Sequence, residues 1–167
     1  MKEGLQAVWE RRAKRLSERT VLAENRQHLL PVIVVGIGKE RYGVDLADVA
    51  EVLPAVRPTP VPGAAAVFSG VINVHGEIRP VLNLRRFLGM ETVPSDGVAR
   101  MILLSKDGWM MGLEIDTVEQ IRWIESGELE AGNGKAGSPG HMKGSTKDLL
   151  MLLSTEAIFA ELTGATT

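Results

Sequence analysis

Short runs of apolar residues, separated by turn-forming residues, dominate the chain from residue 32 onward and predict β-strands. The runs at 33–35, 101–104 and 149–153 are continuous rather than alternating, which indicates strands covered on both faces. A single small barrel has only one interior. The second face of these strands therefore needs a sister unit, an N-terminal helix or a partner protein to cover it.

The stretch 59–89 is predicted to fold as a tight hairpin around which the rest of the chain is organised. Residues 61–64 suit a type II turn, because Pro presets φ at its second position and Gly accepts positive φ at its third. Two strands follow, and His75-Gly76 between them can reverse the chain. No group in the stretch is arranged for bond-making chemistry, so the hairpin is interpreted as a docking module.

Three further local elements are predicted beyond this hairpin. Asp107-Gly108 is a strong two-residue turn between strands. Either Asp45 or Asp48 can cap a brief helical segment, because a carboxylate oxygen accepts from the free N–H groups at a helix start. Residues 155–162 are predicted to form a short closing helix.

The first 29 residues form a separate N-terminal extension. Five apolar residues recur there at helical spacing and predict one apolar stripe on a basic helix: Leu5, Val8, Trp9, Ala13 and Leu16. Two interpretations stay open. The helix packs on the domain with its basic face in solvent, or it docks a partner or an anionic surface. Residues 20–30 are predicted to be a linker, and the folded domain is predicted to span residues 30–167.

An internal repeat is visible in the chain. Residues 43–52 align without a gap on residues 112–121, and every apolar position is matched by an apolar one. A looser echo sets residues 70–87 against residues 144–159. Chance similarity is the alternative for such short segments, whereas duplication predicts two similar small β-units in one chain.

The segment from Gly70 to Arg85, GVINVHGEIRPVLNLR, resembles the signature of CheW-like domains, the coupling proteins of bacterial chemosensory arrays. The upstream RYGVDLADVAEVL and the downstream MGLEIDTVEQI are similar to the family's other two landmarks, in the right order. The resemblance covers roughly residues 32–162. It departs from the family at two positions, since the usual Arg is His75 here and the usual Asp is Asn83.

The resemblance implies an all-β fold of two SH3-like, five-stranded β-barrel subdomains with pseudo-twofold symmetry, beside the N-terminal amphipathic helix and short helical turns. Approximate subdomain limits are 30–95 and 96–162, with terminal strands open to exchange between them. The resemblance also implies a non-catalytic adaptor. Its partners would be the regulatory domain of a CheA-type histidine kinase and the cytoplasmic tip of a methyl-accepting chemoreceptor.

Carried over by position, the resemblance assigns partner contacts to nine residues. They are Val49, Glu51, Gly70, Asn73, Val74, His75, Val98, Arg100 and Ile102. For Val49 and Gly70 the alternatives are core packing and a backbone bend. His75 has three open interpretations: a turn residue that tolerates positive φ, a partner contact at a loop tip, or a contact that responds to pH.

Composition removes several other functions. The 167 residues include no cysteine, which excludes disulfides, thiolate zinc sites and cysteine nucleophiles. No apolar run approaches the roughly 18 residues of a membrane span. The N-terminus has no signal-peptide core, so a cytoplasmic protein is expected. A net charge of -2 and 4% aromatic residues argue against a broad nucleic-acid surface.

Candidate chemistry adds little to this picture. A literal G-x-G-x-x-G at 132–137 lies in the polar, Gly-rich stretch 125–141, a predicted mobile loop, whereas a dinucleotide site needs a strand before the motif and a helix after it. His28, His75 and His141 are far apart in sequence, so no metal site is predicted. No catalytic residue or cofactor is predicted either. The main rival function is a β-barrel module that binds nucleic acid or an anionic surface through the basic N-terminal helix.

Overall fold

The computed structural model describes residues 2–26, 28–131 and 139–164, and within these ranges strands predominate. The strands are β1 Leu29–Ile37, β2 Glu40–Asp45, β3 Val49–Val56, β4 Phe68–Val74, β5 Glu77–Asn83, β6 Ala99–Lys106, β7 Trp109–Ile115, β8 Thr117–Glu125, β9 Met142–Ser145 and β10 Leu150–Leu153. The α-helices are α1 Lys2–Arg26, α2 Leu84–Phe87 and α3 Thr155–Thr163. Single 3₁₀ turns stand at Leu46–Asp48, Ser126–Glu128 and Pro139–His141.

The strands form two five-stranded sheets with the same connectivity. Sheet A has the order β8-β1-β2-β10-β9, and sheet B has the order β3-β6-β7-β5-β4. All neighbours pair antiparallel except β2–β10 in sheet A and β5–β7 in sheet B, which are parallel and occupy equivalent places. The matching order confirms the expected all-β fold of two SH3-like, five-stranded units related by a pseudo-twofold repeat.

The gap-free sequence repeat has a packing reason. Gly43 in β2 pairs with Leu152 of β10, and Gly112 in β7 pairs with Val81 of β5. A Cβ atom at either glycine would lie 3.3 Å from the side chain of that partner, which is tighter than an ordinary contact. Each parallel pair therefore keeps a glycine where the buried side chain of the neighbouring strand crosses it.

In each sheet a hydrogen-bonded bridge links one edge strand to the segment that follows the other edge strand. In sheet B, Thr59 N–H donates to the Val71 carbonyl at 2.8 Å and Val71 N–H donates to the Thr59 carbonyl at 2.9 Å. Gly70, directly before this bridge, has a φ of +144°. Sheet A has an equivalent bridge beside Gly144, with distances of 2.9 and 3.0 Å. The looser sequence repeat, which sets residues 70–87 against residues 144–159, thus begins at equivalent positions in the two units.

The main hydrophobic core lies between the two sheets and is called the seam here. Its buried members come from both sheets and from the helices α2 and α3: Ile33, Val35, Ile37, Tyr42, Val44, Leu82, Leu84, Leu88, Ile102, Leu104, Met111, Leu113, Ile115, Leu153, Ile158 and Phe159. A smaller cluster, called the inner cluster, fills the interior of each five-stranded unit. In sheet B it consists of Ile72, Val74, Val81, Ala99, Met101 and Leu103, and in sheet A of Val32, Val34, Ile124, Leu150 and Leu152.

Neighbouring residues of the central strands point to different clusters. In β1, Val34 belongs to the inner cluster of sheet A and Val35 to the seam. In β6, Met101 belongs to the inner cluster of sheet B and Ile102 to the seam. Burial of both faces explains the continuous apolar runs. Of the three covers considered from the sequence, the sister unit is the one that covers the second face.

Sheet membership does not follow the two halves of the chain. The two outer segments, 29–45 and 117–153, build sheet A, and the middle segment, 49–115, builds sheet B. A cut at residue 95 would separate β6 and β7 from the rest of sheet B. Pairing between strands that are distant in sequence is thus built into sheet A. The G-x-G-x-x-G motif at 132–137 lies outside the described residues.

The N-terminal helix differs from two sequence predictions. α1 continues through Arg26 and β1 begins at Leu29, so the predicted linker at 20–30 is wrong. The segment holds no Gly or Pro before β1 and contains good helix formers, which allows the helix to continue. The side chains of Trp9 and Leu16 are 62% and 63% exposed. The interpretation that the apolar stripe packs on the domain is therefore wrong.

The choice between Asp45 and Asp48 as a cap is settled by their contacts. Ala47 N–H donates to Asp45 Oδ1 at 3.0 Å, so Asp45 is the cap. Asp48 is buried instead, where Lys106 Nζ donates to it at 3.0 Å and the Thr155 hydroxyl also donates. The hydrogen bond to Asp48 raises the pKa of Lys106 above its ordinary value. This network joins β6, the first 3₁₀ turn and α3.

The β9–β10 turn is held by Asp148. Arg122 donates to its two carboxylate oxygens at 2.5 and 3.1 Å, and the Thr146 hydroxyl donates at 2.6 Å. These bonds, first that of Arg122 and then that of Thr146, hold the pKa of Asp148 well below its usual range. The folded state therefore favours the ionised carboxylate.

Asp148→Asn is expected to lower the free energy of unfolding at pH 7 by up to about 1 kcal/mol, because the Asp148 side chain is 48% exposed to solvent. A carboxyl group with a lowered folded pKa stabilises the fold above its unfolded pKa and loses that effect as the pH falls. The difference in unfolding free energy between the variant and the wild type should therefore shrink below about pH 4. Urea titrations at several pH values measure it. Glu91→Gln, at an exposed loop position, is the control. A difference that stays constant down to pH 3 would contradict the role of the Asp148 charge.

Candidate functional site

The first candidate surface lies where β3 meets the β4–β5 turn. We call it the hairpin rim and define it by Glu51, Asn73, His75 and Ile78. His75 Nε2 lies 2.9 Å from Glu51 Oε2, which joins the turn to β3. The side chain of His75 is 77% exposed, and Ile78 is 64% exposed. The rim therefore combines a polar pair with an exposed apolar side chain, a combination suited to contact with a protein.

The backbone of the turn explains how His75 is presented. Asn73 Oδ1 accepts a hydrogen bond from Gly76 N–H at 2.8 Å. His75 and Gly76 have φ angles of +51° and +87°, so the predicted reversal at these two residues is confirmed. Of the three interpretations of His75, the turn residue is confirmed. The partner contact and the response to pH stay predictions.

Two of the nine expected contact residues are buried in the same hairpin. Val74 belongs to the inner cluster of sheet B. Gly70 is buried, and a Cβ atom there would lie 2.1 Å from the Thr59 carbonyl oxygen. In this structure both residues shape the hairpin from inside, and any influence on a partner would pass through that shape.

Two other expected contact residues lie at the seam. Ile102 is fully buried there, and the half-buried Val49 packs against the seam. A side chain with no exposed surface shapes the outer face without being part of it. Assignment of the nine residues to partner contacts stays a prediction. At the hairpin rim Asn73 and His75 are exposed, and Glu51 is half-buried with 41% of its side chain exposed.

Val98 and Arg100 line a second surface, a groove of about 800 Å³. It lies at the far end of β3, where Val56 pairs with Ala99. Val56 lies five residue steps along the strand from Glu51, which corresponds to about 16 Å. The structure therefore does not bring Val98 and Arg100 together with the hairpin rim.

One wall of the groove joins three segments that are far apart in sequence. The Arg85 guanidinium donates to Asp116 Oδ2, and Gly38 N–H donates to the same oxygen at 2.6 Å. Asp116 thus ties α2 to the β1–β2 turn. Sequence reasoning missed this contact. The available signal lay in the repeat, where Asp116 stands in the place that Ala47 holds in the first copy.

The groove carries charges of both signs. Its charged lining residues are Arg57, Arg85, Arg86, Arg100, Asp96, Glu114 and Asp116. Guanidinium groups can donate paired hydrogen bonds to carboxylates or carbonyls, and the acidic groups can accept from a partner's donors. This mixture is suited to a polar protein surface rather than to a single anion.

The family departure at Asn83 has a local structural basis. Its Oδ1 accepts from Arg86 N–H at 2.9 Å and caps α2, while its Nδ2 donates to Ser69 Oγ at 3.5 Å. Ser69 in turn donates to Glu114. A carboxylate at position 83 would lack the Nδ2 donor and would add negative charge near Glu114. The amide therefore fits this environment.

The described ranges contain no group of three or more His, Cys, Asp or Glu side chains able to hold a metal ion. His141 is buried, pairs with Glu161 and packs against the Phe87 ring at a centroid distance of 4.6 Å. Its role is consistent with core packing. Among the helices in the described ranges, none has the length and apolar character needed to cross a membrane.

Comparison with known proteins gives a consistent result. A family model described as CheW-like domain matches residues 31–163. Chemotaxis protein CheW of Treponema pallidum (strain Nichols) is 25% identical over 104 residues, covering 60% of this chain and 61% of that protein. Chemotaxis protein CheW of Bacillus subtilis (strain 168) is 25% identical over 100 residues, covering 60% of this chain and 64% of that protein. The matches to these two relatives thus span less than two thirds of their lengths.

Among solved structures, the fold is similar to the crystal structure of scaffolding protein TtCheW from Thermoanaerobacter tengcongensis. The TM-score is 0.66 and the identity 27%, over 74% of this chain and 86% of that chain. These similarities do not favour the rival prediction of a module that binds nucleic acid or an anionic surface.

Proposed function

This chain belongs to the CheW-like domain family, and from that premise we propose that it is a non-catalytic chemotaxis adaptor in the cytoplasm. It would bind the cytoplasmic tip of a methyl-accepting chemoreceptor with one surface and the regulatory domain of a CheA-type histidine kinase with another. The family match over residues 31–163 supports this proposal. The two-unit β fold, similar to that of a scaffolding protein, supports it as well.

The observation that carries the proposal is the hairpin rim. The 2.9 Å contact between His75 and Glu51 holds two solvent-accessible side chains, one from the β4–β5 turn and one from β3, in one arrangement before any partner arrives. Pre-organisation of this kind reduces the ordering cost of association. We therefore assign the receptor tip to the hairpin rim, with the groove at Val98 and Arg100 as a weaker candidate.

The seam supplies a physical basis for coupling. Both sheets contribute side chains to one buried core, and close-packed cores do not deform continuously. Two partners held on such a body would keep a defined geometry, so a small shift of one partner would reach the other without chemistry in the adaptor. Modest affinities, repeated across many copies, would add up to strong overall binding.

His75→Ala and Glu51→Ala are each expected to weaken binding to the receptor tip by about fivefold, since an exposed pair contributes up to about 1 kcal/mol. The measurement is titration of the receptor tip, with the kinase regulatory domain titrated in parallel. His75→Arg keeps a hydrogen-bond donor opposite Glu51 and should bind at least as tightly as the wild type. Lys143→Ala, at an exposed position in β9, is the control and should have no effect.

Two outcomes would count against this proposal in different ways. Failure of the wild-type chain to bind either cognate partner would remove the adaptor function. Normal receptor binding by both alanine variants, with wild-type binding intact, would move the receptor site away from the hairpin rim.

A further inference from the structure

Leu149 lies in the turn 146–149 between β9 and β10, called the Leu149 turn here, and breaks two local rules. Its φ angle is +64°, a conformation that crowds the Cβ atom of a bulky residue and that glycine takes freely. Its side chain is also 78% exposed, so its burial contributes little to the fold. His75 and Asp107 have positive φ as well, but their residue types tolerate it. A bulky apolar residue held in this conformation in solvent indicates a role outside the fold.

Hydrogen bonds fix the backbone of the Leu149 turn. Leu149 N–H donates to the Thr146 carbonyl at 3.0 Å, and Leu150 N–H donates to Thr146 Oγ1 at 3.2 Å. Arg41 donates to the Asp148 carbonyl at 3.3 Å, in addition to the bonds that the Asp148 carboxylate accepts. The backbone at Leu149 is therefore set before any partner binds, which lowers the ordering cost of association.

Leu149 has a counterpart in the other unit. Leu152 of β10 and Val81 of β5 occupy equivalent places, since each lies opposite the glycine of the sequence repeat. Three residues before them in the chain stand Leu149 and Ile78, and Ile78 is 64% exposed. Each unit thus has a large aliphatic side chain in solvent at the same place. Exposure repeated in both units indicates a shared use of this position, as an aliphatic anchor for the pocket of a protein partner.

The charges around the two anchors have opposite balance. Those on the Leu149 turn, or close to the charges of Asp148 and Arg122, are Arg41, Arg122, Lys147, Asp148 and Glu128. Three cations and two carboxylates leave a net charge of +1. At the hairpin rim, Glu51 and the ion pair of Glu77 with Arg79 leave a net charge of −1 with His75 neutral. Because charge complementarity decides which partner fits, the Leu149 turn favours a more acidic partner than the hairpin rim does.

We propose that Leu149 anchors a second docking point, which binds a protein surface with an apolar pocket edged by carboxylates. The Leu149 side chain would enter the pocket, and Arg41 and Lys147 would lie against the carboxylates. Under the proposed function, on which this assignment rests, the partner is the kinase regulatory domain, since the hairpin rim is assigned to the receptor tip. One anchor on each unit would let a single chain hold both partners at once.

Leu149→Gly in the full-length chain tests the docking point. Binding of the kinase regulatory domain should weaken by about tenfold, the loss typical of a truncated anchor, while binding of the receptor tip should not change. The urea midpoint should equal or exceed that of the wild type, because glycine takes positive φ freely. Leu149→Met keeps a long apolar side chain and should bind like the wild type. Lys147→Glu should weaken binding of the kinase domain by about threefold, and less so at high salt.

The controls use two other exposed apolar positions. Ile78→Ser, at the equivalent place in the other unit, should weaken binding of the receptor tip and leave binding of the kinase domain unchanged. Val93→Ala, at a loop position that is 59% exposed, should change neither.

The outcomes separate this assignment from the proposed function. Kinase binding that survives Leu149→Gly would overturn the docking point and leave the adaptor function standing, whereas a wild-type chain that binds neither partner would remove both. A lower urea midpoint for Leu149→Gly would show that the side chain serves the fold and would overturn the docking point too. Loss of self-association in sedimentation velocity, with kinase binding intact, would assign Leu149 to a second copy of this chain instead.

Discussion

Gly70→Ala is expected to lower the free energy of unfolding by about 2–6 kcal/mol. An added Cβ atom would lie 2.1 Å from the Thr59 carbonyl oxygen, at a φ of +144°. Relief of that clash would break the two hydrogen bonds between Thr59 and Val71. Loss of two bonds at about 0.5–1.5 kcal/mol each, together with backbone strain of about 1–3 kcal/mol, accounts for the expected effect. Guanidinium titration followed by tryptophan fluorescence measures it.

Two other glycines provide graded controls. Gly63 also has positive φ, +80°, but no atom lies within 4 Å of its Cβ position. Gly63→Ala should therefore cost only the strain, about 1 kcal/mol. The loss of stability in Gly144→Ala should lie between those of Gly63→Ala and Gly70→Ala, because its Cβ would lie 2.8 Å from the Glu130 carbonyl oxygen.

This prediction bears directly on the assignment of Gly70 to a partner contact. If position 70 requires glycine because of the Thr59–Val71 bridge, Gly70→Ala should lose partner binding only to the extent that it unfolds or distorts the hairpin. A stable variant that still fails to bind would contradict the structural account, and would favour a direct contact at Gly70.

Ile102→Ala is expected to destabilise the chain by about 2–5 kcal/mol, the cost of removing a large buried side chain from a packed core. Ile102 has no exposed surface, and its neighbours in the seam come from both sheets. The cavity would therefore weaken the contact that holds the two units together. Equilibrium unfolding in urea measures the loss, and a lower midpoint is the expected result.

Val98→Ala is the natural comparison, since Val98 was assigned to the same partner surface as Ile102. Its side chain is 44% exposed, so its truncation should change stability by less than about 0.5 kcal/mol. Equal stability losses in the two variants would contradict the burial described for Ile102.

Local chemistry explains which elements were predictable. The reversal at His75-Gly76 and the turn at Asp107-Gly108 both have positive φ at their two residues. Glycine takes that conformation without steric cost, and His or Asp tolerate it better than most residues. Such turns are decided by a few neighbouring residues, so the sequence was sufficient for them. The full length of α1 was not predicted, because a polar stretch without clear helix-capping residues resembles a linker in composition.

The contacts of the candidate site had no such local origin. His75 and Glu51 are 24 residues apart and meet because the β4–β5 turn reaches β3. Arg85 and Asp116 meet because α2 lies beside the end of β7. Neither pair has a spacing that indicates contact, since strand pairing over long sequence distances brings them together.

By itself, the sequence determined the turns, the doubled β-unit and the burial of the central strands on both faces, because turn chemistry, repetition and apolar runs act over a few residues. The tertiary structure decided the order of strands in the two sheets, the burial of Ile102 and Val74, and the exposure of the α1 stripe. These depend on which distant surfaces meet. A hydrophobic side chain has the same sequence signature whether it is covered by its own fold or left for another molecule.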